Sequence, residues 1–298
     1  MTSAHPAATG TACVVASAVA FGAMAILARI AFASGVDTPT LLALRFGIAA
    51  IAMLALASLR KVPLPSGSTL GALVLLGAIG YGGQAFSFFT ALTLAPAGLV
   101  ALLLYLHPAL VALLAAALLH ERLTPVKLVA LAIALAGMVL TIAPALTTPE
   151  SVPAGTGVVA GIGFAIAAAV FYSLYIIAGA WLGRRVDAFP VSTVVIASAA
   201  VLFLAAALVR GPQWPQTPEG WVAVVAIALL STVAAVTLYF AGLKLIGPTR
   251  ASTLSTLEPL VTVTLAALVL GERIAPVQMA GGALILAAVV LLARSRSA

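Results

Sequence analysis

The chain contains ten long apolar runs. Turn signals made of proline, glycine and charged residues separate these runs. An α-helix needs roughly 20 apolar residues to cross the hydrocarbon core of a bilayer, and each run has about that length. The pattern therefore predicts ten membrane-spanning helices, which we number as spans one to ten. Their predicted bounds are 11–33, 39–60, 70–92, 97–118, 125–144, 157–181, 189–210, 220–243, 249–270 and 276–294.

The composition supports this prediction. Hydrophobic residues make up 64% of the chain, charged residues make up 7%, and the mean hydropathy is +1.26. About a quarter of the residues in soluble domains are charged, so the chain falls outside that class. We expect an all-α membrane protein that has the lipid bilayer as its solvent, because helices satisfy their own backbone hydrogen bonds there.

The charged and reactive residues exclude several kinds of function. The net charge is +7, but the 14 basic residues are scattered between apolar runs and form no patch for nucleic acid. A single cysteine, Cys13, excludes internal disulfides and a thiolate metal site. The chain has no phosphate-binding GxxxxGK[ST] loop, and Thr124 breaks the only approach to an HExxH motif. We predict no cofactor, no bound metal and no nucleic-acid partner.

An even number of spans places both termini on the same side of the membrane. With the N-terminus in the cytoplasm, the basic residues on the inside are Arg60, Lys61, Arg122, Lys127, Arg184, Arg185, Lys244, Arg250, Arg294 and Arg296. The remaining four, in the outer half or outside, are Arg29, Arg45, Arg210 and Arg273. Because cytoplasmic loops carry an excess of Lys and Arg, we predict that both termini are cytoplasmic.

The chain contains an internal repeat. Tyr105-Leu106-His107-Pro108 reappears 151 residues later as Thr256-Leu257-Glu258-Pro259, and a Glu-Arg pair follows each copy. The repeat predicts two homologous units of five spans, residues 1–148 and residues 149–298. Since five is odd, the second unit crosses the membrane in the opposite sense, which predicts two inverted five-helix repeats.

The doubled motifs resemble those of the EamA-type families in the drug/metabolite transporter superfamily. In each half a proline near the middle of the fourth helix precedes a Glu-Arg pair, at 121–122 and 272–273. The runs at 44–46 and 278–282 are also similar to the family pattern. The resemblance implies a carrier of small metabolites in the bacterial inner membrane, and the overall pattern looks closest to the amino-acid exporter branch. Two departures are that the second half has no counterpart of Arg45, and that His107 stands where the other half has Glu258.

Two ionisable residues lie near the centres of spans. His107 in span four and Glu258 in span nine occupy matching positions of the repeat, and charged residues at this depth usually face an interior cavity. We expect both to face a common cavity, with Glu258 as an amine ligand or proton carrier. The alternative is that each side chain only satisfies backbone groups that the following proline frees. Pro108 and Pro259 are predicted to kink their helices, either for gating or as fixed structure.

Other polar residues in the spans are candidates for substrate binding. Arg45 either binds a substrate carboxylate, gates the outer mouth, or extends to the interface with its charged head in water. Aromatic and amide side chains suit a cavity for a neutral or aromatic amino acid, with ordinary interhelical packing as the alternative. These predicted lining residues are Tyr81, Gln84, Tyr105, Tyr172, Tyr175 and Tyr239.

The sequence thus favours a secondary transporter that exports aromatic or neutral amino acids, or related small metabolites, by alternating access. Protons are the candidate coupling ion. Carriers of nucleotide-linked or phosphorylated sugars or of drugs, and a passive channel, remain alternatives. An intramembrane enzyme is not expected, because the spans hold only a single glutamate and a single histidine at depth. The Glu-Arg pairs are predicted to close helix ends. The sequence carries no signal for the oligomeric state.

Overall fold

The computed structural model describes residues 6–119, 124–147, 157–182 and 187–295, and the regular structure within these ranges is entirely helical. Within the same ranges, two π-helical segments, Leu76–Tyr81 and Leu229–Ala234, interrupt the α-helices. The α-helices are α1 (Pro6–Gly22), α2 (Met24–Ala33), α3 (Thr38–Leu59), α4 (Gly67–Leu75), α5 (Gly82–Leu94), α6 (Ala97–Leu104), α7 (His107–Leu119), α8 (Pro125–Thr147), α9 (Val158–Leu182), α10 (Ala188–Arg210), α11 (Pro218–Ala228), α12 (Ala235–Ile246), α13 (Pro248–Ser255), α14 (Leu257–Leu270) and α15 (Pro276–Ser295).

These helices form the ten predicted spans. Within the described ranges, nine helical stretches are long and apolar enough to cross a membrane, and Leu257–Leu270 is a shorter apolar helix. The shorter one belongs to span nine, which is broken between α13 and α14. The predicted bounds differ from the observed ones by a few residues, since the first helix begins at Pro6 and the third stretch runs from Gly67 to Leu94.

The prolines of the repeat account for the breaks in spans four and nine. A proline has no N–H, so it leaves the carbonyl four residues earlier without its helical partner. In span four the helix is interrupted at residues 105–106, before Pro108. In span nine it is interrupted at Thr256, before Pro259. Each break therefore lies one turn before its proline, at the same place in both halves.

The packing of the helices follows the repeat. The most extensive contacts join α1 to α12, α3 to α10, α5 to α9, and α8 to α15, so each pair takes one helix from each half. Spans two and seven, and spans five and ten, are repeat equivalents that pack on each other. The pairing of span one with span eight matches that of span six with span three. This is the arrangement that a two-fold relation between the halves produces.

Hydrogen bonds between loops indicate that the two halves are inverted. Ser34, after span one, accepts a hydrogen bond at its carbonyl from the backbone N–H of Gln216 at 2.8 Å, and Thr40 accepts one from Gln213 N–H at 3.1 Å. The loop after span one therefore lies on the same membrane face as the loop after span seven. In the repeat, span seven corresponds to span two, and the loop after span two lies on the opposite face from the loop after span one. The two halves cross the membrane in opposite senses. The predicted boundary between residues 148 and 149 lies outside the described residues, as does the Glu-Arg pair at 121–122.

Candidate functional site

Glu258 lies at the start of α14, beside the break in span nine, and makes its hydrogen bond with the other half of the chain. The Tyr105 hydroxyl lies 3.0 Å from Glu258 Oε2 and 2.7 Å from the carbonyl oxygen of Ser255. Ser255 is four residues before Pro259, so its carbonyl is the one that the proline leaves without a helical donor. Tyr105 thus connects the carboxyl group of Glu258 to the freed carbonyl of the broken helix.

The single hydroxyl proton of Tyr105 cannot serve both acceptors fully. An ionised Glu258 can only accept, so it competes with the Ser255 carbonyl for that proton. A protonated Glu258 can donate to the Tyr105 oxygen, and the tyrosine proton is then available to Ser255. The protonation state of Glu258 therefore determines how the freed carbonyl in span nine is satisfied.

His107 satisfies the corresponding carbonyl in span four. Its Nδ1 lies 3.1 Å from the carbonyl oxygen of Leu104, which is four residues before Pro108. A carbonyl oxygen only accepts, so Nδ1 carries the hydrogen in this contact. The imidazole ring packs edge-on against Tyr172, with centroids 4.6 Å apart, and against Tyr105 at 5.5 Å. The Tyr105 side chain therefore lies in contact with both His107 and Glu258, the two central residues of the repeat.

A cavity opens beside Glu258 at the boundary between the halves. The space between its lining atoms is about 230 Å³, including the part that is open to the outside. The lining residues are Phe21, Ala25, Phe88, Ala101, Leu104, Tyr105, Glu258, Pro259 and Thr262. Thr262 donates to the carbonyl of Gly22 at 2.9 Å and so ties α14 to the end of α1. Six of the nine lining residues are apolar, and the polar side chains that line the cavity are Tyr105, Glu258 and Thr262.

Arg45 is buried between the two halves, with 2% of its surface exposed. Its Nε donates to Thr232 Oγ1 at 3.0 Å, and its Nη2 donates to the Tyr81 hydroxyl at 3.3 Å. The guanidinium carbon lies 4.7 Å from the ring centroid of Phe46 and 5.1 Å from that of Phe89. The predicted alternative, an arginine extended to the water interface, is wrong, because hydroxyl groups inside the protein hold the charged head.

The predicted aromatic residues form a row between Arg45 and Glu258. The ring centroids of Tyr81 and Tyr175 lie 5.5 Å apart, and the Tyr175 ring is stacked on that of Tyr172 with centroids 6.1 Å apart. Tyr172 contacts His107, which contacts Tyr105. Two predicted residues lie outside this row. Tyr239 packs on Phe240, and Gln84 is buried one turn beyond Tyr81 on α5.

Thr232, Phe46 and Phe89 are contacts of Arg45 that the sequence prediction did not include. Thr232 lies in the second π-helical segment and Tyr81 in the first, and the two residues are 151 positions apart. The two hydroxyl groups that hold Arg45 therefore occupy matching positions of the repeat. Adding the repeat period of 151 residues to the number of Tyr81 gives Thr232. π-helical turns occur frequently at functional sites. Phe89 carried no such signal, because one phenylalanine in an apolar span looks like any other.

Glu272 joins the two halves at one membrane face. It follows α14, and its carboxylate accepts hydrogen bonds from the backbone N–H groups of Ala97 at 2.8 Å and Gly98 at 3.1 Å, which begin α6. A carboxylate at the positive N-terminal end of a helix is stabilised by the helix dipole. The predicted closure of a helix end is thus observed for Glu272, and the helix that it caps belongs to the opposite half.

Replacing Glu272 with alanine is expected to open this face. The change removes two charge-assisted hydrogen bonds between the halves, which corresponds to about a tenfold shift between closed and open forms or more. The measurement is the labelling rate of a cysteine introduced at Ala101 in the cavity, with a membrane-impermeant maleimide and with Cys13 replaced by serine. Asp187→Ala is the matched control, because Asp187 directly precedes α10 and makes no side-chain capping bond. Equal labelling rates in the two variants would contradict a closing role for Glu272.

Comparison with known proteins identifies the family. The model of the EamA-like transporter family matches residues 8–143 and again residues 159–294, one match in each half. A solved crystal structure of a protein is 26% identical, covers 96% of this chain and 97% of its own, and superimposes with a TM-score of 0.65. A search of curated proteins finds no match. The chain belongs to the EamA-like transporter family, a group of multi-pass membrane transporters that are not enzymes.

Proposed function

We propose that the chain is a secondary transporter that exports aromatic or neutral amino acids by alternating access. The observation that carries the proposal is the position of Glu258, which lines a cavity between the halves and accepts a hydrogen bond from Tyr105 of the opposite half. Among the described residues, no basic side chain forms an ion pair with it. A carboxylate in this position is able to bind either a proton or the ammonium group of a substrate.

Exchange of these two cations at one carboxylate gives export driven by protons. A proton arriving from outside neutralises Glu258 and releases the substrate ammonium to that side. Return of the proton to the cytoplasm restores the carboxylate for the next substrate. Because Tyr105 shares its hydroxyl between Glu258 and the Ser255 carbonyl, each exchange also changes the hydrogen bonding of the break in span nine. Occupancy of the site is thereby linked to the shape of a broken helix.

The aromatic residues provide the apolar part of the site. Phe21, Phe88 and Tyr105 line the cavity, and the row of rings continues from Tyr105 towards Tyr81. Stacked and edge-on aromatic contacts favour a planar apolar side chain. The cavity has room for only about one water molecule, so its walls must separate to admit a substrate. The breaks before Pro108 and Pro259 divide spans four and nine into segments that can move for this purpose.

The proposal includes an orientation. We place the protein in the bacterial inner membrane with both termini in the cytoplasm, and with the halves divided at residues 148 and 149. The excess of basic residues in the loops that then lie inside supports this orientation. Glu272 and the loop at residues 211–217 then lie on the outer face.

Flux measurements in liposomes test the function directly. Purified protein is reconstituted, and the movement of radiolabelled phenylalanine, leucine and glutamate is measured with and without a pH gradient. We expect phenylalanine and leucine to move at least about tenfold faster with the gradient, and glutamate to move little. Movement that does not respond to the gradient would make the protein a passive facilitator. No movement of any amino acid by correctly inserted protein would refute the proposal and would direct the search to drugs or sugar conjugates.

A further inference from the structure

Arg45 is a buried cation that has no anion beside it in the described part of the chain. Among the described residues, no carboxylate lies within ion-pairing distance of its guanidinium group. An arginine within a membrane helix is costly, up to about 2.5–3.5 kcal/mol at the centre on insertion scales, and Arg45 lies about two turns inside α3. Buried charges are normally paired, and the two hydroxyl groups that contact Arg45 carry no charge. A purely structural link between the halves needs only a neutral hydrogen-bond donor, so the positive charge requires another explanation.

Several donors remain unused around this arginine. Nη1 makes no hydrogen bond within the described part of the chain, since the two observed bonds come from Nε and Nη2. Tyr81 accepts from Arg45, so its own hydroxyl proton is available to a ligand. The Gln84 side chain is buried one turn along the same face of α5 and makes no hydrogen bond among the described residues. An arginine, a phenol and an amide thus offer donors to an anion.

The surroundings favour one negative charge on a planar group. Phe46 and Phe89 cover the guanidinium group, which excludes water and leaves its edge as the binding surface. A guanidinium edge matches a carboxylate in two parallel hydrogen bonds. A phosphate would bring up to a second negative charge, and no second cation is hydrogen-bonded at this position in the described ranges. The donor set therefore suits a carboxylate better than a phosphate ester.

The position is joined to the cavity of Glu258 along one stripe of a helix. Tyr81, Gln84 and Phe88 lie three and four residues apart, so they share a face. Tyr81 contacts Arg45, and Phe88 lines the cavity that contains Glu258. The stretch from Tyr81 to Phe88 spans roughly 10 Å at about 1.5 Å per residue. Arg45 and the cavity of Glu258 therefore both lie beside one face of span three, about two helical turns apart along it.

We propose that Arg45, with Tyr81 and Gln84, is a carboxylate-binding site between the two π-helical segments, and that it makes the transporter select zwitterions over amines. The proposal rests on the proposed function, in which Glu258 binds the ammonium group. Thr232 and Tyr81 hold the guanidinium group from repeat-related positions, so a bound carboxylate contacts both halves through Arg45. Arg45 is then the residue that determines substrate specificity.

Ligands that lack one charge test the native protein without any mutation. Phenylalaninamide keeps the ammonium group of phenylalanine and loses the carboxylate, whereas 3-phenylpropionate keeps the carboxylate and loses the ammonium group. Binding is measured by the ligand-dependent rise in the unfolding temperature and by competition with phenylalanine flux. We expect phenylalaninamide to bind about 10- to 100-fold more weakly than phenylalanine, the effect of losing hydrogen bonds to a charged group. Equal affinities would overturn the proposal.

The variant Arg45→Gln tests the residue. We expect it to weaken binding of phenylalanine and 3-phenylpropionate by about the same 10- to 100-fold, and to leave binding of phenylalaninamide nearly unchanged. Arg29→Gln is the matched control, because Arg29 also lies in a span but donates to the backbone carbonyl of Leu92. Equal weakening of all three ligands in Arg45→Gln would assign Arg45 a structural role. If that variant does not fold, Thr232→Val, which removes one support of the guanidinium group, takes its place.

The two proposals fail in different ways. Binding of 3-phenylpropionate that depends on Arg45, together with no amino-acid flux, would support the carboxylate site and refute amino-acid export. Amino-acid flux without discrimination against phenylalaninamide would support export and refute the carboxylate site. A phosphate monoester that binds more tightly than 3-phenylpropionate would refute the assignment to carboxylates.

Discussion

Glu258→Gln is expected to lower proton-driven amino-acid flux by about 100-fold, the largest effect of any single change at the site. Glutamine keeps the shape of the side chain and still accepts a hydrogen bond from Tyr105, but it neither carries a proton nor pairs with an ammonium group. Loss of a charge-assisted interaction in a desolvated site is worth about 1.5–3 kcal/mol, and about 2.7 kcal/mol is a factor of 100. The measurement is flux in liposomes at a fixed pH gradient.

The control for this variant is Glu219→Gln. Glu219 is an exposed acid in the first turn of α11, and its neutralisation is expected to change the flux less than about twofold. A second readout is the response to the gradient, since Glu258→Gln should transport residual substrate at a rate that no longer depends on pH. Full proton-driven flux in Glu258→Gln would remove Glu258 from the mechanism and leave its contact with Tyr105 as structural.

Gly281→Val is expected to have the largest effect on folding. A Cβ at Gly281 would lie 2.6 Å from the carbonyl oxygen of Gly137 and 2.7 Å from the backbone nitrogen of Thr141, both in α8. These are backbone atoms, so α8 and α15 must separate to make room. Overpacking of this kind costs roughly 1–3 kcal/mol, and the branched valine should cost at least the upper end of that range. The midpoint of thermal unfolding in detergent should fall clearly.

Gly163→Val provides the same substitution without the close approach. Gly163 lies in α9, and a Cβ added there would meet no heavy atom within 4 Å outside its own stretch of helix, so the change affects only helix propensity. We expect its unfolding midpoint to stay near that of the native chain. Similar midpoints for Gly281→Val and Gly163→Val would mean that α8 and α15 do not approach as closely as the structure has them.

The prolines show which features of the site could be predicted from the sequence. Pro108 and Pro259, with the residues before them, mark the breaks in both halves, because the effect of a proline on a helix is local. The role of His107 stayed open between ligand binding and repair of the backbone. In the structure its Nδ1 contacts the Leu104 carbonyl, which Pro108 leaves free. For the carbonyl that Pro259 leaves free, the donor is Tyr105 from the other half rather than its neighbour Glu258. A donor 150 residues away leaves no local signal.

The sequence also did not predict which helices pack against each other. In a soluble protein, polar positions mark the surface, but both the lipid and the protein interior are apolar, so a valine in contact with lipid looks like a buried one. Val14 is fully buried and Val209 is 87% exposed, although both lie in apolar helices. The π-helical segments were not predicted, and neither was the placement of Arg45 between Tyr81 and Thr232, which depends on a contact between the halves.

The sequence alone determined the all-helical class, the ten spans, the repeat and the central position of Glu258. Each of these follows from properties that act over a few residues, namely the length of an apolar run, the missing N–H of proline, or the recurrence of a motif. Tertiary structure alone decided that Tyr105 joins Glu258 to the broken helix, that Arg45 is held by hydroxyl groups from both halves, and that Glu272 caps a helix of the opposite half. These contacts join residues 36 to 187 positions apart, and only the packing of the helices brings such residues together.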